Sequence, residues 1–175
     1  MMKLIQQVRF EWDLAKVPIQ PVPLPPKHEI KVTTDAVVDS IWEGMQKAFL
    51  NEKGWIIQLE AHLDQLRRRI FPEGKPLAEM DILVLQHGTR VVGVSALWPK
   101  VEEPVQLLSG VVLDYEYQRR GLGTALLQAS LRHLSDRGLE KASVITREGV
   151  TAARFLYPKF GGKSTPLDAV PVKAS

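Results

Sequence analysis

YQRRGLGT, residues 117–124, stands between an apolar run that ends at Leu113 and a helical pattern that starts at Leu122. Two arginines and two glycines fall within its five central positions, Arg119–Gly123. A strand, a glycine loop and a helix in direct succession make an anion site. The first-turn N–H groups of a helix lack internal acceptors, and its dipole presents positive charge there. Gly121 and Gly123 have no Cβ, so backbone can approach a ligand closely and adopt positive φ. Arg119 and Arg120 add charge that a pyrophosphate or a 3′-phosphate could use.

Working outward, the chain alternates between two periodicities. HEIKVTT (28–34) alternates as a strand does, and Thr34 or Asp35 can cap a helix with Val38, Ile41, Trp42, Met45 and Phe49 on one face. Gly54 stops it, and a second amphipathic helix places Ile56, Leu59, Leu63, Leu66 and Ile70 together, ending at Phe71-Pro72. DILVLQ (81–86), HGTR (87–90) and VVGVSALW (91–98) form a β-hairpin, and PVQLLSGVVL (104–113) a long strand. A helix follows from Leu122 to Arg137, with Leu127, Leu131 and Leu134 inward and Gly138 as its stop. KASVIT (141–146) is a strand, TAARFLY (151–157) a short helix and AVPV (169–172) a last strand, with GGKST a turn between them. Upstream, PIQPVPLPP (18–26) favours extended polyproline-like backbone, so residues 1–27 are expected as an N-terminal extension and 28–175 as the domain. The expected class is α/β with a mixed central sheet and helices on both faces. The unit at 104–146 should be a right-handed crossover with parallel strands.

Three phosphate-loop patterns compete for the central stretch. A dinucleotide fingerprint needs Gly or Ala at 126, where the chain has Leu126, and an acid after the next strand, where Thr146 and Arg147 stand. Gly162-Lys163-Ser164 evokes a P-loop, but its first glycine would fall on Tyr157, and Pro166 blocks the helix that must follow. Gln118–Gly123 matches [Q/R]-x-x-G-x-[G/A] in the right strand–helix context.

On these residues, the stretch LDYEYQRRGLGTALLQASLRHLSDRGLEKASVITREGVTAARFLYPKFGG (113–162) resembles the acetyl-CoA core of the GNAT superfamily of N-acetyltransferases. The resemblance implies a GNAT-like acyl-CoA N-acyltransferase fold over 28–175, with acetyl-CoA as cosubstrate and no metal. It implies that Val111, Val112 and Leu113 pair through their main chain with the pantetheine arm. Gln118, Arg119, Arg120, Gly121, Leu122, Gly123 and Thr124 then hold the pyrophosphate. Ala153, Tyr157, Lys159 and Gly161 match the family's later helix, which makes Tyr157 the general acid that protonates the leaving thiolate. The N–H at Val112–Leu113 would polarise the thioester carbonyl, and the acceptor side would lie around Phe49 to Trp55. The family's asparagine is Val150 here, its Gly-Phe is Gly161-Gly162, and Pro158 should end or kink the helix beside Tyr157.

The remaining composition narrows function further. With 45% hydrophobic and 25% charged residues, 175 residues make an ordinary globular chain. The absence of cysteine excludes disulfides and zinc–thiolate sites. The N-terminus is no secretory signal and no apolar run reaches membrane length, so a cytoplasmic protein is expected. A net charge of +3 suits an anionic ligand and falls short of a dedicated nucleic-acid binder. Arg67–Arg69 reads as a solvated helix face, with a nucleic-acid adaptor as the weaker reading. The strand before the loop carries no carboxylate; Glu102 and Glu103 are candidates for the base but read better as exposed turn acids. Trp42, Trp55, Trp98 and Tyr115 read as core or as an aromatic pocket. His28, His62, His87 and His133 are scattered without ligand spacing. The expected enzyme acetylates a small-molecule or peptide amine by direct attack in a ternary complex, engages neither nucleic acid nor membrane, and leaves homodimerisation open. A non-catalytic acyl-CoA sensor is the alternative.

Overall fold

The computed structural model describes residues 2–33, 38–55, 58–74 and 78–173. Along the chain these form Met2–Ile5 (β1), Gln7–Asp13 (β2), His28–Thr33 (β3), Val38–Leu50 (α1), Leu59–Ile70 (α2), Asp81–His87 (β4), Arg90–Leu97 (β5), Leu107–Leu113 (β6), Leu122–Asp136 (α3), Lys141–Arg147 (β7), Thr151–Phe155 (α4), Lys163–Pro166 (β8) and Val170–Lys173 (β9). The expected caps at Thr34 or Asp35, and the inward Ile56, lie outside the described residues.

Alternation along β4, β5 and β6 sorts the larger sheet, ordered β3-β4-β5-β6 and antiparallel throughout, into two apolar faces. Ile82, Val84, Val94 and Ala96 meet Ile41, Met45, Leu66 and Ile70 of α1 and α2. Leu83, Leu85, Leu97 and Leu107 share the other core with Leu126, Leu127, Leu131 and Leu134 of α3. The helical spacing read from sequence therefore names the buried faces, and helices cover both sides of the sheet. Gly138 ends α3 in a positive-φ conformation (φ 93°) that glycine adopts without a Cβ clash.

The smaller sheet departs from expectation. Its order is β7-β2-β8, so a strand from inside the supposed N-terminal extension is its middle member, antiparallel to both neighbours. Val8, Phe10 and Trp12 face inward, with Trp12 wholly buried, while Arg9, Glu11 and Asp13 face out. GGKST is likewise no simple turn, because Lys163–Pro166 is β8, paired with Val8–Glu11. A two-stranded ribbon, β1-β9, completes the sheets. The part of 1–27 that behaves as an extended tether is the proline run. Polyproline backbone makes no internal hydrogen bonds, and the buried Gln128 of α3 supplies them. Its Nε2 donates to Pro18 O and Gln20 O at 2.9 and 2.8 Å, and its Oε1 accepts Val22 N–H at 2.7 Å.

The expected crossover β6–α3–β7 is present, but its strands do not form a ladder. They meet at one end, where Gln106 N–H donates to Ser143 O at 3.2 Å and Gln106 Oε1 accepts Ser143 N–H at 3.0 Å. Beyond that point β6 belongs to one sheet and β7 to the other.

Trp12→Ala should lower the unfolding free energy by about 3–5 kcal/mol, the cost of emptying a large buried aromatic site. Ile19→Ala, at a side chain 76% exposed, should change it by less than about 0.5 kcal/mol. Urea denaturation of both variants checks the contrast, and equal effects would contradict the placement of β2.

Candidate functional site

The gap between β6 and β7 is filled by one phenol. Tyr157 is 3% exposed, and its ring meets Phe10 at 5.6 Å and Trp12 edge-on at 5.8 Å between centroids. Trp12 Nε1 in turn donates to Lys159 O at 2.9 Å, which fixes the turn that carries Tyr157. That turn exists because α4 stops at Phe155, two residues short of expectation, with Pro158 unable to continue it. Tyr157 N–H still donates to Ala152 O, so the residue is held at the helix end.

At its tip, Tyr157 Oη accepts the backbone N–H of Val111 at 3.0 Å. The phenol's own hydrogen finds no acceptor among the described residues, and remains free to be donated. Burial pushes the Tyr157 pKa up to about 12, with the Val111 N–H acting the other way. The phenol is therefore neutral and proton-loaded at physiological pH. Gly110 makes the contact feasible: its φ is +68°, and a Cβ there would collide with Tyr157 Oη.

Backbone alternation decides which groups of β6 face the gap. Val111 N–H points to Tyr157, and Gln118 Nε2 donates to Leu113 O at 3.3 Å on the same side. Asp114 N–H instead reaches Val92 O of β5 at 2.8 Å. Between Val111 and Leu113, Val112 must therefore turn its N–H and C=O toward β5, where it pairs with Val94. This corrects the expectation for Val112: its side chain lines the cavity but its main chain is already used. Leu113 and Val111 carry the outward groups.

The loop is anchored by a residue that sequence reading passed over. Asp114 is 4% exposed, accepts Glu116 N–H, and holds Arg90 at 3.1 Å and Lys47 at 3.4 Å. A buried carboxylate with two cationic partners fixes the exit of β6 against α1 and β5. Arg119 (φ 65°) and Gly121 (φ 77°) both turn the backbone left-handed, and Gly121 is the N-cap of α3 with no capping side chain. Apart from its own chain neighbours, no atom of the described residues lies within 4 Å of where a Gly121 Cβ would sit.

A cavity of about 670 Å³ runs from this loop, past Tyr157, to the C-terminal end of α1. Val111–Leu113 line it, together with Gln118, Arg119, Gly121, Gly123 and Thr124. Arg120 and Leu122 do not: Arg120 lies over the Tyr117 ring at 5.4 Å, and Leu122 is core. Of the aromatic candidates only Trp55 reaches the cavity. Trp42 packs edge-on against Phe71 under Arg67, Trp98 lies beside Lys100, and Tyr115 is exposed on the surface. Glu102 and Glu103 are not among the lining residues, whereas Glu52 is. The histidines go elsewhere: His28 stacks on His87, His62 on Trp55, and His133 binds Asp81.

With this geometry in hand, comparison with known proteins is informative. A family model described as the acetyltransferase (GNAT) family matches residues 38–162. A mycothiol acetyltransferase of Catenulispora acidiphila is 30% identical over 172 residues, covering 90% of this chain and 51% of that protein. Its counterpart from Corynebacterium glutamicum is 33% identical over 84 residues, covering 47% of this chain and 28% of that protein. The chain thus spans about half or less of the length of these curated relatives. Among solved structures, a GCN5-related N-acetyltransferase from Sphaerobacter thermophilus superposes over 97% of this chain and 50% of its own, with TM-score 0.61 and 17% identity. A Drosophila protein covers 97% of this chain and 50% of its own, with TM-score 0.63 and 14% identity. At such identities these two likenesses concern the fold.

Gly110→Ala and Gly121→Ala separate strain from collision. Both force an L residue to positive φ, at about 1–2 kcal/mol, but only Gly110→Ala also drives a methyl into the Tyr157 hydroxyl. Chemical denaturation should show a clearly larger loss for Gly110→Ala; equal losses would contradict the contact.

Proposed function

We propose that this chain, which belongs to the GNAT acetyltransferase family, transfers an acetyl group from acetyl-CoA to a primary amine that attacks the thioester directly. The observation that carries the reading is the single cavity in which a proton-loaded phenol, the outward N–H of Leu113 and an uncapped helix N-terminus come together. The family uses acetyl-CoA, and the residues present suit it. The open space at Gly121 and the free first-turn N–H groups of α3 suit a pyrophosphate, and the guanidinium of Arg119 adds charge. The outward C=O of Val111, with no hydrogen bond among the described residues, suits an extended amide arm running along β6.

In this reading the Leu113 N–H takes the carbonyl-polarising role that alternation denies to Val112. The amine nitrogen forms the new C–N bond while the C–S bond breaks, and the nitrogen sheds its surplus proton to solvent. Tyr157 Oη, held by Val111 N–H, delivers its proton to the departing sulfur and regains one from solvent. A phenol with a pKa of about 12 keeps that proton throughout the neutral and mildly alkaline range. Its deprotonation should therefore cause no loss of turnover below pH 10.

Acetyl-CoA binding by calorimetry, followed by a thiol-release screen over an amine panel, tests the proposal. Tyr157→Phe should cut kcat about a hundredfold or more while the acetyl-CoA Kd changes little. Unchanged kcat removes the acid role. Tight acetyl-CoA binding with no thiol released by any amine supports the binding-only alternative instead.

A further inference from the structure

Three charged residues line the cavity, and they come from different elements: Arg119, Lys159 and Glu52. Arg119 belongs to the glycine loop and Lys159 follows Tyr157, whereas Glu52 lies just beyond the end of α1. The one carboxylate among the described lining residues thus stands on the α1 wall, which the phosphate-binding loop does not reach.

Glu52 is oriented there. Its Oε1 lies 3.4 Å from the N–H of Gly54 and 3.4 Å from the N–H of Thr151. Its Oε2 has no hydrogen-bond or ion-pair partner among the described residues. A partly buried carboxylate with one free oxygen is a receptor for a cation with hydrogens to donate.

The walls beside it are apolar, formed by Ala48, Phe49 and the edge of Trp55. Trp55 cannot offer a face to a cation. His62 stacks on it at 3.9 Å and 15°, and the Arg147 guanidinium sits 4.4 Å from its centroid. At those separations the two must occupy opposite faces. Arg147 also donates to Gly54 O at 3.2 Å and is absent from the cavity lining. His62, pushed down to about 4 by burial and by Arg147, is neutral and brings no positive charge. Among the described residues, this end of the cavity therefore has a negative receptor, mostly apolar walls and no cation to meet an acceptor's anion.

We infer that Glu52 receives the ammonium group of the acceptor, and that the acceptor is a primary amine on an apolar body with no carboxylate beside the amine. The assignment rests on the acetyl-transfer reading. Glu52 selects for the charged amine; its proton is released to solvent before the C–N bond forms. An amine flanked by a carboxylate would bring that anion against Glu52 with nothing to balance it, and like charges in such a site are costly.

Phenethylamine, phenylalanine and phenylalanine amide differ only beside the amine and serve as probes. With acetyl-CoA as donor, the amine and the amide should be acetylated, with kcat/KM for phenylalanine at least about tenfold lower. Glu52→Gln retains an oxygen for the two backbone N–H groups, and a thermal melt reports whether it folds. It should raise KM for phenethylamine about tenfold or more and erase most of the discrimination against phenylalanine, which a merely structural residue would not do. Equal kcat/KM for all three probes in the unaltered protein overturns the inference, whatever the variant does. So does a folded Glu52→Gln protein with unchanged KM and selectivity. If acetyl-CoA binds but no probe is acetylated, the inference falls together with the transferase reading.

Discussion

The hydrogen bond from Val111 N–H to Tyr157 Oη is the contact on which the site depends, because it ties β6 to the turn after α4 across the gap beside β7. An edge N–H in a gap between strands needs an acceptor, and the phenol provides one while keeping its own hydrogen. Each neighbouring feature follows from accommodating that ring. Gly110 clears its hydroxyl, Pro158 and the short α4 set its turn, and Phe10 and Trp12 wall its sides. The same burial that packs the ring also raises its pKa, so packing and protonation state have a common origin.

Charge is laid out with comparable economy. Asp114, Arg90 and Lys47 satisfy one another beneath the loop entrance, leaving Arg119 at the cavity. Arg147 is spent on Trp55 and on Gly54 O. The cavity is thus lined by Arg119 of the glycine loop and by Glu52 just after α1, although the whole chain carries only a modest net charge of +3.

Much of this was legible in the sequence, for local reasons. The apolar faces of α1, α2 and α3 follow from the 3.6-residue period, and the β4–β5 hairpin from period two and its turn. The glycine loop is singled out by its pattern and strand–helix context, and Tyr157 by the resemblance of one continuous stretch to the GNAT core. What escaped depends on distant partners. QVRFEWD alternates as plainly as any strand, with Val8, Phe10 and Trp12 inward. The proline run after it reads as a boundary, and its partners β7 and β8 lie at the far end of the chain. Lys163–Pro166 is fully exposed and proline-ended, so it reads as strand only through its pairing with β2. Glu52 sits in a short polar break that looked like a helix stop. Only the backbone N–H of Thr151, 99 residues on, reveals that it belongs to the cavity wall.

The position of β2 has a kinetic consequence. Arg9 meets Ser143 across 134 residues of chain and Trp12 meets Lys159 across 147, so the middle strand of the smaller sheet closes one of the longest loops in the molecule. Contacts of such sequence separation form late, after local helices and hairpins. Until β7 and β8 have been synthesised, Val8, Phe10 and Trp12 form an unpaired alternating strand with an apolar face. Maturation of the gap around Tyr157 is thereby tied to the last steps of folding, and the nascent chain passes through a stage in which this aromatic strand needs shielding from other strands' edges.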